Sequence, residues 1–194
     1  FTKTDYYYSQ GITLEYVHPL LKRSPSAKLL LQLPGSSSIH GITFNIFGFT
    51  PTSIKSDTIL YGDRPYSSCI TLQAFSISND SSRKQRLSSA LSIGVIGPAA
   101  LGEHIQTGIH RWLDNKLPKG WRHQVQNDIV LNYQLDYEKK LAGNSRNLLV
   151  NSTGTAKLGT LNTSLSAGMN AMVGSFNDPY QKLETGKKFR YHLY

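Results

Sequence analysis

A chain of 194 residues with 39% hydrophobic and 10% aromatic residues suits one folded domain of roughly 100–250 residues, and its 11 Tyr, 7 Phe and 2 Trp exclude intrinsic disorder. The single cysteine, Cys69, excludes an internal disulfide framework and a cysteine-rich zinc site, and no stretch reaches the ~18 apolar residues of a membrane-spanning helix. A mean hydropathy of −0.33 still permits a membrane β-barrel, whose strands turn only alternate residues to lipid, and the net charge of +9 suits a polyanion, an anionic surface or plain solubility alike.

The chain opens on Phe1-Thr2-Lys3-Thr4-Asp5, with neither an initiator Met nor a basic and apolar leader, so any signal peptide is expected to have been removed. From there a period of two dominates. It sets Ile12, Leu14 and Tyr16 on one face, then Ile42, Phe44 and Ile46 within 39–50. Ile70, Leu72 and Ala74 follow within 66–78, and Leu91, Ile93 and Val95 within 86–96. Gly97-Pro98 then breaks the pattern, and Leu101, Ile105, Ile109 and Trp112 form a stripe at helical spacing that predicts one amphipathic helix near 98–113. Strand alternation resumes with Ile129, Leu131, Tyr133, Leu135 and Tyr137, and again with Leu161, Leu165, Ala167, Met169, Ala171 and Val173. The last residues, Phe189-Arg190-Tyr191-His192-Leu193-Tyr194, alternate in the same way, and sequence is expected beyond both ends. Between these elements, Lys22–Lys28, Pro34–Ser38, Ser78–Lys84, Leu141–Asn147 and Phe176–Lys188 read as turns and loops.

These strands are longer than the usual five or six residues and close to what a tilted bilayer-spanning strand needs. Tyrosines near their ends (Tyr6–Tyr8, Tyr16, Tyr61, Tyr66, Tyr137, Tyr191) suit an interfacial girdle. A soluble antiparallel barrel or sandwich alternates identically, so the pattern leaves both architectures open.

On the helix, Glu103, Gln106, His110 and Asp114 form a polar row at i, i+3, i+7 and i+11. Such a row suggests a site, against the plainer reading of a helix that covers a sheet edge with Glu103 and His110 in water. Among the six histidines, His110 is the best general-base candidate, because Gln106 lies one turn back and Asp114 one turn on. His104, six residues before it, falls on an opposed face, which argues against one shared metal ion. There is no G-x-S-x-G, P-loop or H-E-x-x-H. The S-x-x-K match at Ser81–Lys84 and the three N-glycosylation triplets at Asn79, Asn151 and Asn162 carry little weight in a chain so rich in Ser, Thr and Asn.

Several blocks occur in a distinctive order: Thr4-Asp5-Tyr6-Tyr7-Tyr8-Ser9-Gln10-Gly11, Phe49-Thr50-Pro51, Asp63-Arg64-Pro65-Tyr66 and Gly94–Glu103, then Gln106, His110-Arg111, Lys119-Gly120-Trp121, Gln124 and Asn127-Asp128. Together they resemble the LpxR-type lipid A deacylases over about residues 4–140. The resemblance implies an all-β fold, an antiparallel transmembrane β-barrel in the bacterial outer membrane with one inserted amphipathic helix and about twelve strands when complete. About seven to nine strands are legible here, so residues 1–194 are expected to form a single but incomplete barrel domain.

The implied activity is hydrolysis of the 3′-acyloxyacyl ester of lipid A, with a His activating water and a bound cation, usually calcium, stabilising the oxyanion. By position, the resemblance puts the catalytic His on His110, its neighbouring Gln on Gln106, and a metal-associated hydroxyl on Ser9. Lys55 falls near a basic position expected to meet the lipid A phosphate or sugar. An acidic site residue falls near Asp114 or Asn115, with Asp114 taken as the metal-ligand candidate, and Arg64 is expected to fix a turn.

Three departures bear on this. The family's Asn-Asp pair upstream of Thr4, which helps bind the metal, is missing here, so the calcium ligand set is incomplete; Ser67-Ser68 replaces the common Ala-Gly; and Asp128 replaces a usual Glu. The expected partners are lipid A or lipopolysaccharide and outer-membrane lipid, with no nucleic acid, and the expected state is a monomer. A catalytically silent pore or structural barrel is the alternative. A soluble basic domain that binds nucleic acid is a third reading, distinguished by a steep salt dependence of binding.

Overall fold

The computed structural model describes residues 7–144 and 146–183. Seven strands form one antiparallel sheet in strict chain order: β1 (Tyr7–Val17), β2 (Ser37–Thr50), β3 (Ser67–Asp80), β4 (Gln85–Ile96), β5 (Asp128–Gly143), β6 (Leu148–Gly159) and β7 (Ser164–Val173). One helix, α1 (Gly102–Trp112), interrupts them. The alternating tail at Phe189–Tyr194, with Tyr191, and the start of the first block, Thr4-Asp5-Tyr6, lie outside the described residues.

The strands form where the period of two predicts, most with longer ends; β7 begins only at Ser164, so Leu161 lies before it. β6 is the exception. In Leu148–Gly159, Gly154 and Ala156 share the parity of Leu148 and Val150, while Asn151, Thr153 and Thr155 fill the other, so the apolar contrast fades halfway along. Its register comes from its neighbours: Thr155 pairs with Asp136 on β5, and Asn151 pairs with Asn170 on β7.

The predicted helix near 98–113 is two elements. Pro98–Ala100 forms a 3-10 turn, and α1 begins only at Gly102, because Leu101 between them takes a left-handed φ of 58° that an α-helix cannot continue through. Within 22–28, expected as a loop, Ser24 ends one 3-10 turn (Pro19–Arg23) and caps the next (Pro25–Leu29) by accepting from Ala27 N–H at 3.3 Å.

The chain divides into two compact units. The first holds the described parts of Phe1–Glu15, Thr43–Gln73 and Ser92–Leu131, including α1. Here the apolar strand faces are mostly the exposed ones: Ile12, Leu14, Leu72, Ile93, Ile129 and Leu131 all face outward, while Thr43, Thr71 and Val130 on the opposite parity are buried; Ile46 on β2 departs from this and is buried. A soluble sheet does the reverse; a lipid-facing strand does this.

The second unit holds Tyr16–Ile42, Ala74–Leu91 and the described part of Asn132–Tyr194. Its interior is a polar network around Tyr180, which is fully buried. The Tyr180 hydroxyl lies 2.8 Å from Glu138 Oε1 and 2.9 Å from Asn151 Oδ1, and Asn79 Nδ2 donates to the carbonyls of Pro179 and Gln181. Arg86 Nε donates to Asn79 Oδ1 at 2.9 Å, and Lys84 pairs with Asp178 at 2.6 Å. These bonds seat the segment after β7 against β3, β4, β5 and β6. Burial, with the Glu138 carboxylate beside it, pushes the Tyr180 phenol well above its ordinary value.

Of the tyrosines expected in a girdle, Tyr7, Tyr8, Tyr16, Tyr61 and Tyr137 are exposed. Tyr66 is not. It is buried, with its ring centroid 4.9 Å from that of Trp121.

Candidate functional site

The site is built from the first unit alone. Gly97, at φ 100°, turns the chain sharply off β4 and donates its N–H to Ser68 O at 2.9 Å. The turn that follows is held at three points: Ser68 Oγ donates to Ala100 O at 3.2 Å, Ala99 N–H donates to Asn127 Oδ1 at 2.8 Å, and Gln10 Nε2 on β1 donates to Gly102 O at 3.2 Å. Glycine at 102 is a packing requirement. A Cβ there would overlap Ser68 Cβ and come within 2.7 Å of Trp121 Cη2. The first turn of α1 is therefore fastened to β1, β3 and the segment that leads into β5.

From that anchor the helix buries Gly102, Gln106 and His110, which fall at i, i+4 and i+8 on one face. Gln106 Oε1 accepts from Trp121 Nε1 at 2.7 Å, a bond between two almost fully buried groups. His110 is 9% exposed and its Nδ1 lies 2.6 Å from the carbonyl oxygen of Lys116. A carbonyl only accepts, so Nδ1 carries the proton and Nε2 the lone pair of the neutral ring. That tautomer is the one a general base working through Nε2 requires.

The remaining predicted site residues are placed differently. Ser9 is half-buried on β1 and its hydroxyl donates to Thr50 Oγ1 at 3.1 Å, across to β2. Lys55 is exposed on the loop after β2. Asp114 is exposed beyond the end of α1, at a left-handed φ of 52°. The helix stops at Trp112, so Asp114 does not extend the His110 face by a further turn. Glu103, the other acid of the polar row, is exposed as well. The structure thus groups Gln106 with His110 and leaves Lys55, Glu103 and Asp114 at the surface.

Arg64 packs its guanidinium over the Phe49 ring, 4.4 Å from the centroid, beside a turn in which Asp63 accepts from Thr52 Oγ1 at 2.6 Å, from Thr52 N–H at 2.8 Å and from Arg64 N–H at 2.7 Å. The Thr52 hydroxyl, then the two backbone N–H groups, hold the Asp63 carboxyl below its ordinary value.

Trp121, Gln10 and the Lys116 carbonyl are the supports that spacing does not single out. Trp121 comes 15 residues after Gln106 through an irregular segment, and a backbone carbonyl leaves no trace in residue identity.

The calcium ion implied by the resemblance takes about six to eight oxygen ligands. Of the two donors assigned to it, the Ser9 hydroxyl is engaged with Thr50 and Asp114 stands exposed past the helix end. No group of three or more His, Cys, Asp or Glu side chains comes together among the described residues. The described residues do not by themselves fit a calcium ion.

The family model described as "Outer membrane protein LpxR" matches residues 1–194. The chain belongs to the LpxR family. Its place is therefore the outer membrane, and the exposed apolar strand faces face lipid there. Among solved structures it is similar to LpxR from Salmonella typhimurium, at 19% identity and a TM-score of 0.61. The match covers 84% of this chain and 48% of that one, so the chain spans about half the length of that LpxR. The likeness supports the LpxR fold: an all-β protein with one inserted helix. A comparison with curated proteins found no match.

Proposed function

We propose that this chain supplies the general base and its supports to an outer-membrane esterase that hydrolyses the 3′-acyloxyacyl ester of lipid A. The observation that carries the reading is the His110 bond to the Lys116 carbonyl, which fixes a buried imidazole as the Nδ1–H tautomer. In the proposed reaction Nε2 takes a proton from water as the hydroxide oxygen attacks the ester carbonyl. The tetrahedral intermediate then collapses, the C–O bond to the sugar breaks, and the imidazolium returns its proton to the departing sugar oxygen. The products are the free acyloxyacyl acid and a sugar hydroxyl. Gln106, with its carbonyl end engaged by Trp121, is assigned to the catalytic pair beside His110. Lys55, exposed on its loop, is assigned to an anionic group of the lipid A headgroup.

The test is mass spectrometry of lipid A after incubation with the intact protein, wild type beside His110→Ala, with calcium or with chelator. Loss of one acyloxyacyl group in the wild type with calcium, and none in His110→Ala, is expected. The chelator arm reads separately whether the intact protein needs a divalent cation. Intact lipid A in every sample of folded protein overturns the reading in favour of a catalytically silent barrel.

A further inference from the structure

Helix α1 presents an apolar stripe to its surroundings. At 100° per residue, Ile105, Ile109 and Trp112 fall within an arc of about 60°, and Leu101 and Leu113 flank the helix at its two ends. All but Ile105 are exposed, and Trp112 is 82% exposed. Gly102, Gln106 and His110 take the buried positions instead, so the helix faces are assigned as in a lipid environment rather than as in water.

The stripe continues a larger apolar surface. Gln10, which holds the Gly102 carbonyl, shares its β1 face with Ile12 and Leu14, both exposed, and a Cβ on Gly48 of β2 would come within 3.0 Å of the Gln10 amide on that same side. The front of α1 is thus fastened to the outward, lipid-facing side of the sheet. At and past its other end the exposed charged residues are Arg111, Lys116 and Lys119, against Asp114, with Leu113, Asn115 and Leu117 exposed among them.

We propose that α1 is an interfacial anchor. Its Leu101, Ile109, Trp112 and Leu113 side chains lie in the acyl region of the lipid leaflet, and Arg111, Lys116 and Lys119 meet lipid phosphates at the headgroup level. The occupant of the stripe is bulk bilayer lipid. The proposal does not depend on ester hydrolysis and applies equally to a silent barrel.

The test uses the two environments of the chain's tryptophans, since Trp121 is only 1% exposed. The intact protein and its Trp112→Phe variant are refolded into vesicles of phosphatidylcholine and phosphatidylglycerol, with and without bromine on the acyl chains, and their emission difference isolates Trp112. Substitution of so exposed a side chain leaves folding intact, which heat-modifiable electrophoretic mobility checks. The expected result is that acyl-chain bromine quenches most of the difference emission, bromine near the headgroup more than bromine near the chain end, while aqueous iodide spares it. Quenching by iodide places the stripe in water and overturns the proposal. Quenching by neither means that protein covers the stripe, another part of the intact chain or a second copy, and also overturns it. Replacement of Arg111, Lys116 and Lys119 together by Gln is expected to weaken bromine quenching in vesicles with anionic lipid; no change removes the headgroup contact.

Discussion

The carbonyl of Lys116 decides which nitrogen of His110 holds the proton, and the indole of Trp121 decides which way the Gln106 amide points. The two candidate site residues legible from spacing are therefore both oriented by groups that spacing does not reveal. Gln106 and His110 could be paired from sequence because i and i+4 share a helix face. Asp114 sits at the next such interval, yet the helix ends two residues before it and the chain turns left-handed, so the interval no longer measures proximity. Trp121→Phe removes the indole donor and leaves the buried Gln106 carbonyl oxygen without that partner. The expected cost is about 1–3 kcal/mol, read as a lower urea midpoint in detergent, with a slower ester hydrolysis as Gln106 loses its orientation. An unchanged midpoint would mean that water replaces the indole.

The faces of α1 cannot be assigned from its amphipathic pattern alone. Periodicity says which residues share a face, and Leu101, Ile109 and Trp112 on one face are what a soluble core helix would also carry. Burial of the Gln106/His110 face is set by its neighbours, above all by Gly102 against Ser68 and Trp121. Gly102→Ala tests this fastening. The added methyl has no room, and overpacking of this kind costs about 1–3 kcal/mol, here by lifting the first helical turn from β3. A lower melting temperature is expected together with a fall in lipid A hydrolysis, since the Gln10 bond and the His110 position both depend on that turn. Full activity at a normal melting temperature would show that the helix is positioned from elsewhere. β6 was illegible for a related reason. Its small and polar residues lie on both faces, and only pairing with β5 and β7 defines it as a strand.

The whole chain inverts the usual distribution of polarity, and this is where sequence alone left two architectures open. Alternation at Ile12 and Leu14, or at Ile129 and Leu131, fits a soluble sheet as well as a membrane strand, because it does not say which face meets water. Exposure of those side chains and membership of the LpxR family together decide it. Leu14→Lys places a charge on the lipid face of β1, at a cost of about 2–4 kcal/mol at mid-membrane depth and less toward either interface. Gln134→Lys, on the polar face of β5, is expected to fold as the wild type does. The yield of heat-modifiable, folded protein in vesicles separates the two, and equal yields would contradict the assignment of faces.

The order of the strands has a kinetic corollary. Each described strand pairs with those before and after it in the chain, so this part of the sheet can grow hairpin by hairpin. The segment at 178–183 behaves differently. Its bonds to Asn79, Arg86 and Ser37 reach back across about 90 to 150 residues, so it can close only after the strands before it have paired, as the last stitch in its part of the chain.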